Sequence, residues 1–361
     1  MSFSFSPHEA FYIPVPPDFE KAQSIVLLFK DCFKNKNIEK IAHNIKFDYL
    51  MLSRYGIEIN GPWFDTMVAH YLFQPDMKHG MDVLSEMFLN YKPVSIETLI
   101  GKKGKNQLSM ADLDPAKVKD YAAEDADVTF QLKQLFESEV KQNHLKNLFY
   151  HVEVPLIKVL STMEKEGINL DIEALGSFSK ELDTDINVLQ KDIIALAGTD
   201  FNIDSPKQLG EILFEKLKIV DKTKKTKTGQ YQTNEDVLSK LIHEHEIVPK
   251  ILDYRTLKKL KSTYVDTLPD LVNPKTNRLH TSYMQTVAAT GRLSSNNPNL
   301  QNIPIRTEEG RAIRSAFRPD PPGWLLLTAD YSQIELRVLA HMAQIDALKK
   351  AFREGVDIHA L

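Results

Sequence analysis

The hydrophobic pattern of the chain changes near Leu145, and that change excludes a single repeating architecture. Before it, short apolar runs alternate with helical stretches. FYIPVP and KIAHN read as strands, while Phe19 to Phe33 and Ile45 to Tyr55 carry helical spacing, with Asn44 placed to cap the second helix. Strands interleaved with helices imply an α/β unit whose sheet is covered. Asp114-Pro115 is a helix start, a capping residue followed by Pro, and predicts a helix from Pro115 to about Val140. GKKGKNQ (101–107) reads as a polar loop. From Leu145 to Ala197 long helices take over, with a break near Gly167 and a kink or boundary at Pro155. DSPKQLGEILFEKL and NEDVLSKLI each follow a capping residue and flank the basic loop DKTKKTKTGQYQ. Val248 to Leu268 reads as another long helix. Past Pro274 the pattern turns to strands and loops (RLHTSYMQTV). It closes on a buried strand, WLLLTAD, and a helix from Gln333 to Met342 with Ile334, Val338, Ala340 and His341 facing inward. There is no internal repeat, and 361 residues suggest two or three domains.

No apolar run approaches the ~20 residues that cross a bilayer, and the N-terminus has no basic stretch followed by a long apolar one. Cys32, the one cysteine, sits in the apolar run IVLLFKDCF and is expected in a core; a lone thiol fits a cytosolic protein. The net charge of −4 is unevenly spread. Ser205 to Arg318 holds 20 Lys and Arg against 12 Asp and Glu, a net of +8, so the rest of the chain carries −12. Such asymmetry suggests that one region meets a polyanion, although a solvated basic face would look the same.

Tyr121 and Asp125 stand at i, i+4 on the helix from Pro115, which places them on one face. A carboxylate there can hold a hard divalent cation, and the neighbouring phenol can orient a water on it. Asp48, in HNIKFDYL, lies early in another helix and could share such a site. Tyr and Asp at this spacing also occur as ordinary surface decoration. In this order the pair resembles the second and third motifs of DEDD-type 3′–5′ exonucleases in their tyrosine variant. YAAEDADVTFQL is similar to the proofreading domain of the bacterial DNA polymerase I family. That family also uses an Asp-x-Glu on its opening strand. Asp18-Phe19-Glu20 has the spacing but follows Pro16-Pro17 and opens a helix, so Asp18 reads as an N-cap. SFSFSPHEAFYIPVP resembles the second and third strands of that domain, which would put the opening strand before Met1.

DYSQIELR (330–337) is the most specific string. Asp330 ends the expected strand WLLLTA, where an acid is costly unless it pairs or binds metal, though it would also serve as a helix cap. TGRLSSNNPNLQNIPIRTEEGRAIRSAF followed by ADYSQIELRVLAHMA is closely similar to the palm of family A DNA polymerases, and KLKSTYVDTLP resembles the end of their thumb. The resemblance covers essentially the whole chain. It implies that Asp330 is one of two metal-binding palm aspartates and that the Tyr331 carbonyl helps hold the nucleotide metal. It implies that Glu335 crowds a 2′-hydroxyl. Arg292 would bond in the minor groove at the primer end, where acceptors are alike for all correct pairs. Asn299, Gln301 and Asn302 would contact template–primer, Arg306 would lie near the incoming nucleotide, and Lys261, Ser262 and Thr263 would meet phosphates, contacts that position a duplex without specifying it.

The expected fold is thus an α/β exonuclease of ribonuclease H-like, DEDD type lacking its first strand, followed by a mostly helical thumb and the first part of an α+β palm. The expected domains are 1–144 (exonuclease-like) and 145–361 (polymerase), the latter divided into leading helices 145–200, thumb 201–277 and partial palm 278–361. The resemblance implies Mg²⁺, deoxynucleoside triphosphates and primer–template DNA as cofactor, substrate and partner, a role in DNA replication and repair, and a monomer in the cytoplasm at the nucleoid. It places the finger helix and second catalytic acid motif after Leu361. The 361 residues are therefore expected to be part of a longer polymerase that binds primed DNA but is catalytically incomplete, with Asp48 and Asp125 at one site and Asp330 at another. A stand-alone ribonuclease resembling ribonuclease D accounts for Tyr121 and Asp125 but not for DYSQIELR. A non-catalytic DNA-binding module is the other alternative.

Overall fold

Ser2–Ser6 and Glu9–Tyr12 pair as an antiparallel hairpin in the computed structural model, which describes residues 1–220, 225–226 and 229–356. The expected strand FYIPVP leaves the sheet after Tyr12, because Pro14, Pro16 and Pro17 have no N–H to give a ladder. Lys40–Ala42 pairs in parallel with Trp63–Asp65, a crossover enclosing the helix Ile45–Ser53. The apolar stretch from Phe19 divides into two helices, Phe19–Leu27 and Lys30–Lys34, rather than running on to Phe33. Asp18 caps the first, accepting from the Lys21 N–H at 2.9 Å. Cys32 is half-buried rather than in the core, on a short helix that buries none of its side chains.

Asp114 caps the long helix Pro115–Gln142, accepting from the Ala116 N–H at 2.9 Å. Val128, Leu132, Phe136 and Val140, each four residues apart, form the stripe that this helix lays into the first core. Phe64, Phe149 and Ile157 complete that core, which therefore reaches past residue 144 into the helix Val154–Glu166. Pro155 stands in the first turn of that helix, after an over-wide turn at Phe149–Glu153. Gly167 ends it at φ +63°, and a Cβ there would come within 2.6 Å of the Leu279 carbonyl oxygen.

A second core lies between the helices Ile172–Ala197 and Ile247–Leu260, where Leu182, Ile186 and Ile193 join Val248, Ile251 and Tyr254. The long helix expected to Leu268 instead widens at Lys261–Val265 and resumes only for Thr267–Asp270. Ser205 caps Pro206–Glu211, accepting from the Gln208 N–H at 3.4 Å; Asn234 takes the corresponding place before Glu235–Leu238 without a side-chain bond. Of the basic loop, residues 221–224 and 227–228 fall outside the described residues, as does the end of the chain after Val356. Arg278–Leu279 pairs with Ile168–Asn169 and with Val272–Asn273, and Ser282–Met284 pairs with Ser294–Asn296.

These elements form one unit, Met1–Phe317; Arg318–Leu361 is a second. In the second unit WLLLTAD is not a buried strand. Trp324 to Asp330 is irregular, with Leu325 89% and Leu327 93% exposed. No strand among the described residues pairs with it, and an apolar run without a ladder partner or a covering layer cannot hold strand form. The helix Ile334–Met342 packs on Asp346–Arg353. Ala340 alone is buried on it, while Ile334, Val338 and His341, expected to face inward, are exposed. No helix among the described residues is long and apolar enough to cross a membrane.

Candidate functional site

Asp65 organises the exonuclease-like site, and the sequence reading missed it. It ends the strand Trp63–Asp65 and is 1% exposed. Its carboxylate caps its own helix, Thr66–Phe73, through the Met67 and Val68 N–H groups at 2.9 and 3.1 Å. It also accepts from the Ile45 N–H at 2.8 Å and the Asn44 N–H at 3.3 Å, so it caps the helix of Asp48 as well. Asn44, expected to do this, sits in the left-handed region at φ 66° and makes no side-chain cap. Asp48 reaches solvent but is ringed by protein. That loss of hydration, with the Asp65 charge beside it, lifts its carboxyl to about 7. The helix of Asp48 flanks a cleft of about 730 Å³ whose other side includes Glu164 and Tyr283.

Asp125 is half-buried on the long helix. Burial and the charges of Glu124 and Asp82 lift it to about 7, against the lowering effect of a hydrogen bond from Tyr121. Burial and Asp125 together push the Tyr121 phenol up to about 12. The i, i+4 pairing of Tyr121 with Asp125 is therefore realised. The acidic neighbour of Asp48 is Asp65, whereas those of Asp125 are Glu124 and Asp82. His43 senses both groups, through Asp65 and Asp82, and its Nδ1 lies 2.9 Å from the Thr66 hydroxyl. Nothing in the spacing of Asp65, Asp82 or His43 marked them beyond Asp65 standing before a helical run.

Family A polymerase and exonuclease domains use divalent metal ions. Among the described residues no three His, Cys, Asp or Glu side chains are arranged to hold one. Asp48 and Asp125 by themselves supply too few ligands for a two-metal centre.

The residues that the resemblance assigns to thumb and palm come together more closely. The wide turn Lys261–Val265 exposes Ser262 and Thr263, and Tyr264 donates from its hydroxyl to the Asn302 carbonyl at 2.8 Å. This joins the Lys261–Thr263 turn to the loop of Asn299, Gln301 and Asn302. Ser295, 3% exposed, knits that loop: its hydroxyl donates to Asn299 Oδ1 at 3.1 Å, and its N–H donates to Gln301 Oε1 at 2.9 Å. Gln301, Asn302 and Arg306 then line a shallow hollow of about 530 Å³ with Arg314, a basic residue the sequence reading did not select. Lys261 is not a bare cation. It is held by Asp266 at 2.8 Å and Asp183 at 3.4 Å, so a phosphate would compete with two carboxylates.

Arg292 is exposed, one residue after Gly291 at φ +78°. Asp330 and Tyr331 lie exposed on irregular backbone in the second unit rather than at a strand end. Glu335 occupies the first turn of the helix Ile334–Met342, where a carboxylate is favoured by the helix dipole.

Two family models match the chain: a 3′–5′ exonuclease over residues 1–141 and DNA polymerase family A over residues 172–361. DNA polymerase I of Rhizobium leguminosarum is 47% identical over 334 residues, covering 92% of this chain and 32% of that protein. DNA polymerase I of Borreliella burgdorferi is 43% identical over 364 residues, covering 99% and 39%. The chain thus spans about a third to two-fifths of the length of these relatives. Among solved structures, the polymerase domain of Pol1 from M. smegmatis, in complex with DNA primer-template and dNTP, matches with a TM-score of 0.80 and 31% identity, over 97% of this chain and 57% of that one. With the exonuclease match ahead of the polymerase match, in the order read from the residues, the chain belongs to the family A DNA polymerases.

Proposed function

We propose that the chain is the part of a template-directed DNA polymerase that carries a proofreading exonuclease region, the thumb and the start of the palm. The whole protein would extend a primer with deoxynucleoside triphosphates and Mg²⁺ in DNA replication and repair, as a cytoplasmic, nucleoid-associated monomer. The 361 residues grip primed duplex DNA without sequence preference. The observation that carries this reading is the Tyr264–Asn302 bond, which makes one exposed surface of the Lys261–Thr263 turn and the Asn299–Asn302 loop. That surface lies on the segment with net charge +8 and beside the hollow of Arg306 and Arg314. The mycobacterial structure with its primer-template supports the same partner here.

Such contacts, mostly to phosphates and the minor groove, give affinity that falls steeply with salt, each neutralised phosphate adding roughly −0.9 to the slope of log K against log salt. Fluorescence anisotropy with several primed duplexes over a range of salt tests this. Similar affinities and a steep slope are expected. Salt-independent binding, or none at low salt, would count against it.

A further inference from the structure

The structure assigns Tyr71, on the exonuclease-like side, as a positioning residue for Arg292 on the palm side. This deepens the reading above and rests on Arg292 meeting the primer end. Tyr71 is 4% exposed on the helix Thr66–Phe73, and its ring stands edge-on to His79 at 5.7 Å. Its hydroxyl donates to the Ala288 carbonyl at 2.7 Å and accepts from the Gly291 N–H at 3.1 Å. The same Gly291 N–H reaches the Ala288 carbonyl at 3.1 Å, so the hydroxyl closes both ends of the turn that delivers Arg292. Gly291 adopts φ +78°, a conformation that leaves the turn little intrinsic preference and makes an outside clamp effective.

The clamp continues upstream. Gln285 donates to Glu153 Oε2 at 2.7 Å, and Glu164, 8% exposed, accepts from the Tyr283 N–H at 2.6 Å while paired with Lys46 at 2.5 Å. Lys46 also donates to the Tyr283 carbonyl. The segment from Tyr283 to Gly291 is therefore fastened at three successive points, and Tyr71 is the last before Arg292. A buried hydroxyl making two hydrogen bonds fixes the turn more tightly than either bond alone, whereas its loss leaves Ala288 and Gly291 to each other. Tyr71 touches no DNA in this scheme; it acts by holding the backbone of Arg292.

The test is a double-mutant cycle on the full 361-residue chain with Tyr71→Phe, Arg292→Ala and both. Anisotropy gives the preference for a recessed primer end over a blunt duplex. A primer with 2-aminopurine as its terminal base, read at saturating protein, reports the end itself independently of affinity. Tyr71→Phe is expected to reduce the primer-end preference about threefold and to shift the 2-aminopurine signal toward that of Arg292→Ala. The double variant should do no more than Arg292→Ala alone. The proposal is overturned if Tyr71→Phe leaves the preference intact while Arg292→Ala removes it, or if it weakens both duplexes equally and additively with Arg292→Ala. If Arg292→Ala itself has no effect, or the wild type does not bind at low salt, the reading of Arg292 has failed and this one falls with it.

Discussion

His70 makes the first core sensitive to acid, and the size of the effect follows from its surroundings. It is fully buried among Phe73, Phe88 and Phe136, with ring centroids 5.1, 5.5 and 5.6 Å away. Its Nε2 lies 3.0 Å from Gln74 Oε1 and so carries the proton; its Nδ1, 2.7 Å from His79 Nδ1, then accepts from His79. Both ring nitrogens are committed in the neutral form, and burial holds its pKa down at about 4 against an ordinary 6.5. For a base whose folded pKa is depressed, the unfolded chain binds more protons between those two values, so stability is lost as pH falls from 6.5 toward 4. A gap of about 2.5 units at 1.36 kcal/mol per unit amounts to about 3 kcal/mol in full, of which about 2 kcal/mol is lost by pH 5.

His70→Phe keeps an aromatic ring, a larger one, and removes the proton site. At pH 7.5 it is expected to be less stable than wild type by ~1–3 kcal/mol, because the His79 N–H loses its acceptor. The wild type's loss of stability between pH 7.5 and pH 5 should shrink by about 2 kcal/mol in the variant. Comparing differences cancels the opposite trend of carboxylates that the substitution does not touch. Urea unfolding followed by the fluorescence of Trp63, buried in the same core, gives both numbers. An unchanged pH difference would refute the reasoning.

Asp48, with its pKa raised to about 7, behaves in the reverse sense: the folded state holds its proton more tightly, so its contribution declines as pH rises from about 4 to 7. Asp48→Asn should therefore raise the melting temperature more at pH 8 than at pH 5; equal shifts would contradict the loss of hydration at Asp48 and its crowding by Asp65. Lys261→Ala should lower the salt slope of duplex binding by about 0.9 and weaken all sequences alike, and an unchanged slope would mean that Asp183 and Asp266 keep the lysine from the phosphates.

Local chemistry was legible at several helix ends, although Asn44 does not cap its helix as expected. Asp18, Asp114 and Ser205 cap the helices they precede, Pro155 begins one and Gly167 ends one, because capping and φ preferences act within four residues. Tertiary roles were not legible. Asp65 caps a second helix only because Trp63–Asp65 pairs with Lys40–Ala42, and Tyr71 meets a loop more than 200 residues away. The long DYSQIELR match named the family, yet the strand expected before it does not form, since a strand exists only with a partner. Lys261 read as a phosphate ligand from its charge, while its two carboxylate partners come from elsewhere in the fold and from the following turn.

The uncovered run at Trp324–Leu327 bears on how these 361 residues, taken alone, behave in concentrated solution. Four consecutive large apolar side chains, exposed by 53 to 93%, lie on backbone whose N–H and C=O groups have no ladder partner among the described residues. Copies that meet along this run can satisfy one another's backbone bonds and bury the leucines in the same act, which makes self-association a competitor of the monomer. Replacing Leu325 and Leu327 with Lys should raise the concentration at which light scattering begins, without altering the unfolding of the first core.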